Sequence, residues 1–188
     1  MKSGRRESDL IKKLKNPKLK NEAFKDLLDL YQERLYWHIR KIVVTHDNAN
    51  DVLQNTFIKI YKGINNFKEQ SSLHTWMYRI AYNESIRFLD TNKIKSSLNL
   101  NDSNSDYLNN LTQDVYFDGD EIQLKLHSII SKLSEKQQRV FQMKYFDDLS
   151  FREISEILDI SDNTLKSSYY SAVKTIEEEI VADTLQTN

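Results

Sequence analysis

Apolar residues recur about every three to four positions over most of this chain, which is the spacing of an amphipathic α-helix. The pattern predicts helices over about residues 8–16, 21–45, 48–65 and 72–90, and it resumes at Glu121 and continues to about Ile180. Only three Gly and one Pro are present to interrupt it. We therefore predict an all-α protein.

Between Lys93 and Asp120 this periodicity stops, and the sequence becomes rich in Asn, Ser and Asp. Such a composition buries too little apolar surface to order itself, so it predicts a flexible acidic linker over 93–120. On each side we expect one small helical domain. These are an N-terminal helical bundle over 8–92 and a C-terminal helix-turn-helix domain over 121–182.

The stretch from Leu149 to Lys174 has the features of a helix-turn-helix. Ser150 and Glu153 can form a capping box, which fixes where the first helix starts. Asp159 follows that helix and is one of the few residues other than Gly that tolerate a left-handed turn. Ser161 can then cap the second helix. Two caps around a short turn predict a tight pair of helices.

The second of these helices has one apolar side and one small, polar, weakly cationic side. A face of that kind suits a helix that enters the major groove of duplex DNA. An ordinary antiparallel helix pair with a solvated outer face is the alternative. Duplex-DNA contacts are predicted at Asn163, Thr164, Lys166, Ser167, Tyr170 and Lys174.

Aromatic residues are interleaved with cations and amides between Phe67 and Phe88. Rings on helices usually belong to the core, and we expect Trp76 and Ile80 to be at least half buried. Rings beside cations also hold the unstacked bases of single-stranded DNA, as the opening of duplex DNA requires. Single-strand contacts are predicted at Lys68, Ser71, Ser72, His74, Trp76, Tyr78, Arg79 and Asn83.

The helix that contains Asp51 to Ile58 is predicted to place Leu53, Phe57, Ile60 and Ile64 inward. An outward isoleucine among polar groups on the opposite face indicates a protein interface, with a plain solvated face as the alternative. The outward residues are Asp51, Gln54, Asn55, Ile58 and Lys62.

The composition gives no support to an enzyme. The chain has no Cys, and its four His residues show no metal-ligand spacing. No phosphate-binding glycine loop or serine elbow is present, so we expect no catalytic residue, metal, cofactor or small-molecule substrate. The N-terminus has no apolar leader segment and nothing reaches bilayer length, which predicts a cytoplasmic protein without membrane insertion.

The charge of the chain is segregated rather than strongly basic. The formal net charge is −1, which argues against tight DNA binding by the chain alone, because phosphate neutralisation supplies much of such affinity. Residues 1–20 carry eight Lys or Arg and two acids, whereas residues 90–121 carry two and seven. A larger partner could supply most of the affinity for DNA.

Together these segments resemble a bacterial RNA polymerase sigma factor of the extracytoplasmic-function (ECF) type, in the sigma-70 family. Asp51 to Phe57 resembles the helix that binds the polymerase clamp, and Ser71 to Asn83 resembles the segment that melts and reads the downstream promoter element. Leu133 to Phe141 and the helix-turn-helix resemble the domain that reads the upstream element. The resemblance implies core RNA polymerase and promoter DNA as partners, with an antisigma protein common in the family, and no catalysis.

Several positions depart from the family pattern. Asn55 stands where Glu is usual, Glu69 and Asp159 stand where Gly is frequent, and the segment 167–171 lacks the usual Arg pair. The run from Tyr36 to His38 and the Ser-Tyr-Tyr sequence resemble Bacteroidetes-type factors. Two alternatives remain: a stand-alone helix-turn-helix regulator that binds duplex DNA, and a structural helical adaptor. A stand-alone regulator has no use for the aromatic segment of the first domain, and an adaptor leaves the polar outward face of the second helix-turn-helix helix unexplained.

Overall fold

The computed structural model describes the backbone of residues 2–96 and 121–186, with side chains over 6–92 and 123–182. In this part of the chain all regular secondary structure is helical and there is no strand, which confirms the all-α prediction. A short 3₁₀ helix, Ile64–Asn66, accompanies eight α-helices. These are α1 (Lys2–Lys15), α2 (Lys20–Val43), α3 (His46–Gly63), α4 (Leu73–Ser96), α5 (Glu121–Ser131), α6 (Glu135–Tyr145), α7 (Phe151–Leu158) and α8 (Asp162–Gln186).

The chain divides into two compact units, one containing α1 to α4 and the other α5 to α8. Helix α4 continues to Ser96, past the linker start predicted at Lys93. The rest of the predicted linker lies outside the described residues. Its flexibility and the proposed domain boundaries therefore stay predictions.

The first unit is built around the packing of α4 against α2, and α1 contacts α2 and the 3₁₀ helix. Its fully buried aliphatic side chains include Leu14, Leu27, Leu35, Ile39 and Ile60. Burying such a side chain stabilises a fold by about 1.5–3 kcal/mol. The core is mainly apolar, and all four helices of this unit contribute buried side chains to it.

A buried carboxylate ties α3 to α4 inside the first unit. Glu84 is 6% exposed and forms ion pairs with Lys59 of α3 and with Arg87, the latter at 3.5 Å. A buried charge is tolerated when it is paired in this way. The pairing fixes the position of α4 beside α3.

The second unit is held by an apolar cluster that α5, α6 and α8 share. Ile129, Ile130, Leu133, Phe141 and Ile176 are buried there together with Ala172. Helix α7 packs against α6 and α8 and adds Ile154 and Ile157 to the buried set. The resulting core is small, as expected for a domain of this size.

Among the described residues, four other than Gly have left-handed backbone: Val44, Glu69, Asp148 and Asp159, with φ of 72°, 57°, 53° and 56°. Val44 follows α2 directly, at the position where helices commonly end in a left-handed Gly. A β-branched residue is strained there because its side chain crowds the backbone. Asp159 confirms the turn predicted between the two helices of the helix-turn-helix.

Candidate nucleic-acid and protein interfaces

The two faces of α3 are arranged as the sequence predicts. Leu53, Phe57, Ile60 and Ile64 are buried, and the buried Thr56 hydroxyl donates to the Val52 carbonyl at 2.8 Å. The opposite face is a polar surface with one isoleucine, Ile58, at 45% exposure. Its five predicted members, Asp51, Gln54, Asn55, Ile58 and Lys62, are all exposed.

The loop 67–72 and the first turns of α4 carry the predicted single-strand contacts. Lys68, Arg79 and Asn83 are exposed, whereas Ser71 and His74 are half-buried. Arg79 and Asn83 are four residues apart, so they lie on the same face of α4. This face combines a cation with an amide.

Ser72 has a structural role at the start of α4. Its hydroxyl accepts a hydrogen bond from the Thr75 amide at 3.0 Å and contacts the Thr75 hydroxyl at 2.7 Å. This is the geometry of a helix N-cap. Only the remaining surface of this half-buried side chain is available for a base.

Tyr78 is buried, and its predicted role as a stacking surface is wrong in this conformation. The ring is 1% exposed and lies against His38 at 4.8 Å and His74 at 4.4 Å between ring centroids. Aromatic periodicity alone could not separate a core ring from a surface ring. Packing of α4 against α2 turns Tyr78 into the core.

Trp76 is half-buried, as is Ile80, which confirms the burial expected for both. The Trp76 indole packs on the Phe67 ring with centroids 4.9 Å apart. It also covers Gly63, where an added Cβ would lie 3.5 Å from the indole. Trp76 therefore links the end of α3, the loop and α4, and offers a partial face to a ligand.

The helix-turn-helix forms with both predicted caps in place. Ser150 and Glu153 make a reciprocal capping box, as do Ser134 and Gln137 at the start of α6. Ser161 accepts from the Thr164 amide at 3.4 Å and so caps α8. The relation of α7 to α8 is thus set by local hydrogen bonds.

Helix α8 presents the predicted stripe to its outside. On the opposite side of α8, Leu165, Ala172 and Ile176 are buried, and Tyr169 and Val173 are half-buried. Burial raises the pKa of the Tyr169 hydroxyl, and neighbouring Tyr170 and Tyr145 raise it further, so this hydroxyl stays neutral. On the outward stripe only Thr164 is half-buried; Asn163, Lys166, Ser167, Tyr170 and Lys174 are exposed.

Phe151 and Lys144 also lie beside this stripe, although the sequence analysis did not predict them as part of it. The ammonium groups of Lys144 and Lys166 are 5.8 and 6.0 Å from the centre of the Phe151 ring. Phe151 also contacts Tyr170, with ring centroids 6.4 Å apart. Helical periodicity could not reveal this group because its members come from three different helices.

Acidic residues limit the positive potential of α8 beyond the stripe. Lys174 lies 3.8 Å from Glu178, and Glu177 and Glu179 are exposed nearby. An exposed ion pair of this kind screens the lysine from a distant phosphate. Lys166 is therefore the stronger cation of the stripe.

Among the residues that the structure describes, no group of three or more His, Asp or Glu side chains could hold a metal ion. In the same part of the chain, no helix combines the length and apolar character needed to cross a bilayer.

Comparison with known families matches both units. The model described as "Sigma-70 region 2" matches residues 27–94, and the model described as "Sigma-70, region 4" matches residues 123–176. The first match covers α3, the loop and the contact face of α4. The second covers the helix-turn-helix through Ile176.

Curated relatives extend over most of the chain. It is 28% identical to the ECF RNA polymerase sigma factor SigW of Bacillus subtilis, over 85% of this chain and 89% of that protein. It is also 28% identical to an ECF RNA polymerase sigma-E factor of Haemophilus influenzae, over 85% and 88%.

Two solved structures share the fold. One is CnrH in complex with the cytosolic domain of CnrY, with a TM-score of 0.68 and 16% identity over 94% of this chain and 98% of that one. The other is the sigma factor RpoE in complex with the anti-sigma factor NepR from Bartonella quintana, with a TM-score of 0.66 and 19% identity over 85% and 98%.

Proposed function

Because this chain belongs to the sigma-70 family and its relatives are ECF sigma factors, we propose that it binds core RNA polymerase and directs promoter recognition, DNA melting and transcription initiation. One observation carries the proposal: the same chain has a helix-turn-helix and a separate helical unit with a cationic, aromatic surface. A duplex-binding regulator needs only the first of these. A factor that also opens DNA needs both.

The outward face of α3 is the surface that we assign to core polymerase. It is exposed, mostly polar, and has Ile58 near its middle. Protein interfaces commonly place an apolar anchor inside a polar rim. Asp51, Gln54, Asn55 and Lys62 form that rim.

The loop 67–72 and the neighbouring face of α4 are the surface that we assign to melted promoter DNA. Lys68 and Arg79 supply positive charge, and the accessible edge of Trp76 supplies a stacking face. Ser71, Ser72, His74 and Asn83 add hydrogen-bonding groups. Tyr78 is left out of this surface because it is buried.

The outward stripe of α8 is the surface that we assign to the upstream promoter element. Small and polar side chains allow the helix to approach base edges, and Lys166 and Tyr170 are its longest members. Asn163, Thr164, Ser167 and Lys174 complete it.

The cellular setting follows the family. We infer a cytoplasmic protein without intrinsic catalysis. We also infer that an antisigma protein holds this chain inactive until the chain is released. The likeness of the fold to RpoE, which was solved in complex with the anti-sigma factor NepR, supports this inference.

Co-purification followed by transcription tests the proposal. The tagged chain should retain core RNA polymerase from its source bacterium, and the complex should start transcripts from promoters that core enzyme alone ignores. Tight, sequence-specific duplex binding by the chain alone, without polymerase retention, would instead support the stand-alone regulator.

A further inference from the structure

Helix α1 contacts both ends of the loop 67–72 that we assign to melted DNA. The family match to the first unit begins at residue 27, so α1 lies outside it. Two charged side chains of α1, Glu7 and Lys15, make the contacts. Their positions on one helix set the distance between the two ends of the loop.

At the end of the loop, Glu7 completes the cap of α4. One of its carboxylate oxygens accepts a hydrogen bond from the Leu73 amide at 2.7 Å. Leu73 is the first residue of α4, and its amide has no partner within the helix. Ser72 serves the Thr75 amide, so the two side chains divide the cap between them.

At the start of the loop, Lys15 holds both backbone and side chain. Its ammonium donates to the Phe67 carbonyl at 2.9 Å and to the Glu69 carboxylate at 2.7 Å. Glu69 has left-handed backbone, a conformation that Gly adopts more readily than other residues. Lys15 therefore holds the loop at its left-handed residue.

Helix α1 is itself firmly attached to the first unit. Ile11 is 5% exposed and Leu14 is fully buried. The inward face of α1 between Glu7 and Lys15 therefore belongs to the core. Burial raises the pKa of the nearby Tyr31 hydroxyl and the Glu7 carboxylate raises it further, whereas Arg34 lowers it. Tyr31 in turn lies against His74 of α4, with ring centroids 5.9 Å apart.

The geometry points to α1 as the element that sets the conformation of the DNA-reading loop, with Glu7 and Lys15 as positioning residues for base selection. The inference rests on the proposed function of that loop. Neither residue needs to touch DNA. Each fixes one end of the segment that does.

Lys15 has a second effect, because it neutralises Glu69. A free carboxylate in a loop beside DNA repels the phosphates. Pairing with Lys15 compensates that charge and directs the carboxylate towards α1. Removal of the carboxylate by Glu69→Gly should therefore reduce the effect of Lys15→Met on base selection.

Amide hydrogen exchange on the full chain tests the contacts without any DNA. Glu7→Ala should speed exchange of the Leu73 amide, and Lys15→Met should speed exchange in residues 68–72. Asp9→Ala and Lys13→Met are the matched controls, since they remove the same charges from exposed positions of α1. Exchange in the loop that matches the wild type in both test variants would overturn the inference.

Base selection tests the consequence in the complex with core polymerase. The probe is a pool of short single-stranded oligodeoxynucleotides with a randomised central segment, sequenced before and after capture. Glu7→Ala and Lys15→Met should reduce enrichment of the preferred bases more than they reduce total captured DNA. Lys15→Arg should restore selection, because the guanidinium can donate to the same two oxygens.

A double-mutant cycle separates the two effects of Lys15. The loss of enrichment caused by Lys15→Met should be smaller by at least about twofold when Glu69 is Gly. Unchanged base selection in folded Glu7→Ala and Lys15→Met variants would overturn the inference. If wild-type complex captures no DNA while the exchange effects appear, the proposed DNA function fails and the contacts of α1 stand.

Discussion

Ile58 and Tyr170 are exposed hydrophobic side chains, one on the surface assigned to core polymerase and one on the stripe assigned to the upstream promoter element. Single apolar residues at a protein surface are common and need no function. These two differ because each lies in a stripe of polar residues on one helix face. A substitution at either site should act on binding and leave the fold intact.

Ile58→Glu should weaken retention of core polymerase, because it puts a charge where we place the apolar anchor. Such an exposed change should alter the free energy of unfolding by no more than about 0.5 kcal/mol. Pull-down with core enzyme and thermal unfolding measure the two effects. Ile180→Glu is the control, since Ile180 is 43% exposed against 45% for Ile58 and lies on α8. Equal retention of both variants would refute the assignment of α3.

Tyr170→Ala should reduce transcription in a way that depends on the upstream promoter sequence. A side chain that contacts base edges discriminates between bases by about 1–3 kcal/mol. Promoters with altered upstream elements should therefore lose less transcription on this substitution than the native promoter does. Tyr145→Ala removes a tyrosine of similar exposure, 58% against 62%, from outside the stripe. Run-off transcription on a set of upstream variants provides the measurement. A uniform loss would reduce Tyr170 to a sequence-independent contact.

At the scale of helices, the sequence predicts elements whose ends are marked by local chemistry. The capping boxes at Ser134 and Ser150 and the turn at Asp159 depend on residues a few positions apart, and all three form. The cap that Glu7 gives to Leu73 joins positions distant in sequence, and no periodicity can indicate it.

The buried ring of Tyr78 escaped prediction for a related reason. Helix α4 has aromatic residues on several sides, so the sequence cannot say which side faces α2. The buried face is chosen by packing, which places Tyr78 against His38. The outward face of α3 was easier to predict, because only one orientation of that helix buries its apolar residues.

Val44→Gly should stabilise the protein at the turn after α2. Left-handed backbone costs an ordinary residue about 1–2 kcal/mol, and Gly removes that cost while adding about 0.5–1 kcal/mol of chain entropy in the unfolded state. A net gain between zero and about 1.5 kcal/mol is expected from these opposing effects. Urea unfolding followed by far-ultraviolet circular dichroism measures it.

Asp159→Gly is the matched comparison for Val44→Gly. Asp tolerates left-handed backbone better than a β-branched residue, so its two effects should nearly cancel. The two positions have similar φ, 72° and 56°. A larger gain at Asp159 than at Val44 would contradict the view that the side chain of Val44 is strained.

At the scale of the molecule, charge decides how far the chain can act alone. Its formal net charge is −1, and the stripe of α8 has two lysines, one of which pairs with Glu178. Proteins that bind duplex DNA unaided usually neutralise several phosphates. The positive charge is concentrated instead in the first twenty residues.

The isolated chain should therefore bind promoter duplex weakly and with little sequence preference. Addition of core polymerase should bring specific binding, because the partner supplies the missing phosphate contacts. Fluorescence anisotropy with promoter and scrambled duplexes, at more than one salt concentration, measures both states. Tight and specific binding by the chain alone would favour the stand-alone regulator.

The position of Trp76 on Phe67 and Gly63 has a spectroscopic consequence. The chain has two tryptophans, Trp37 and Trp76, and both belong to the first unit. Selective excitation of indole therefore reports on that unit, whereas the second unit contributes only tyrosine. Since Trp76 lies against the loop, its emission should change when bases stack there. The native protein thus provides a label-free optical signal for the binding of single-stranded bases to the isolated chain.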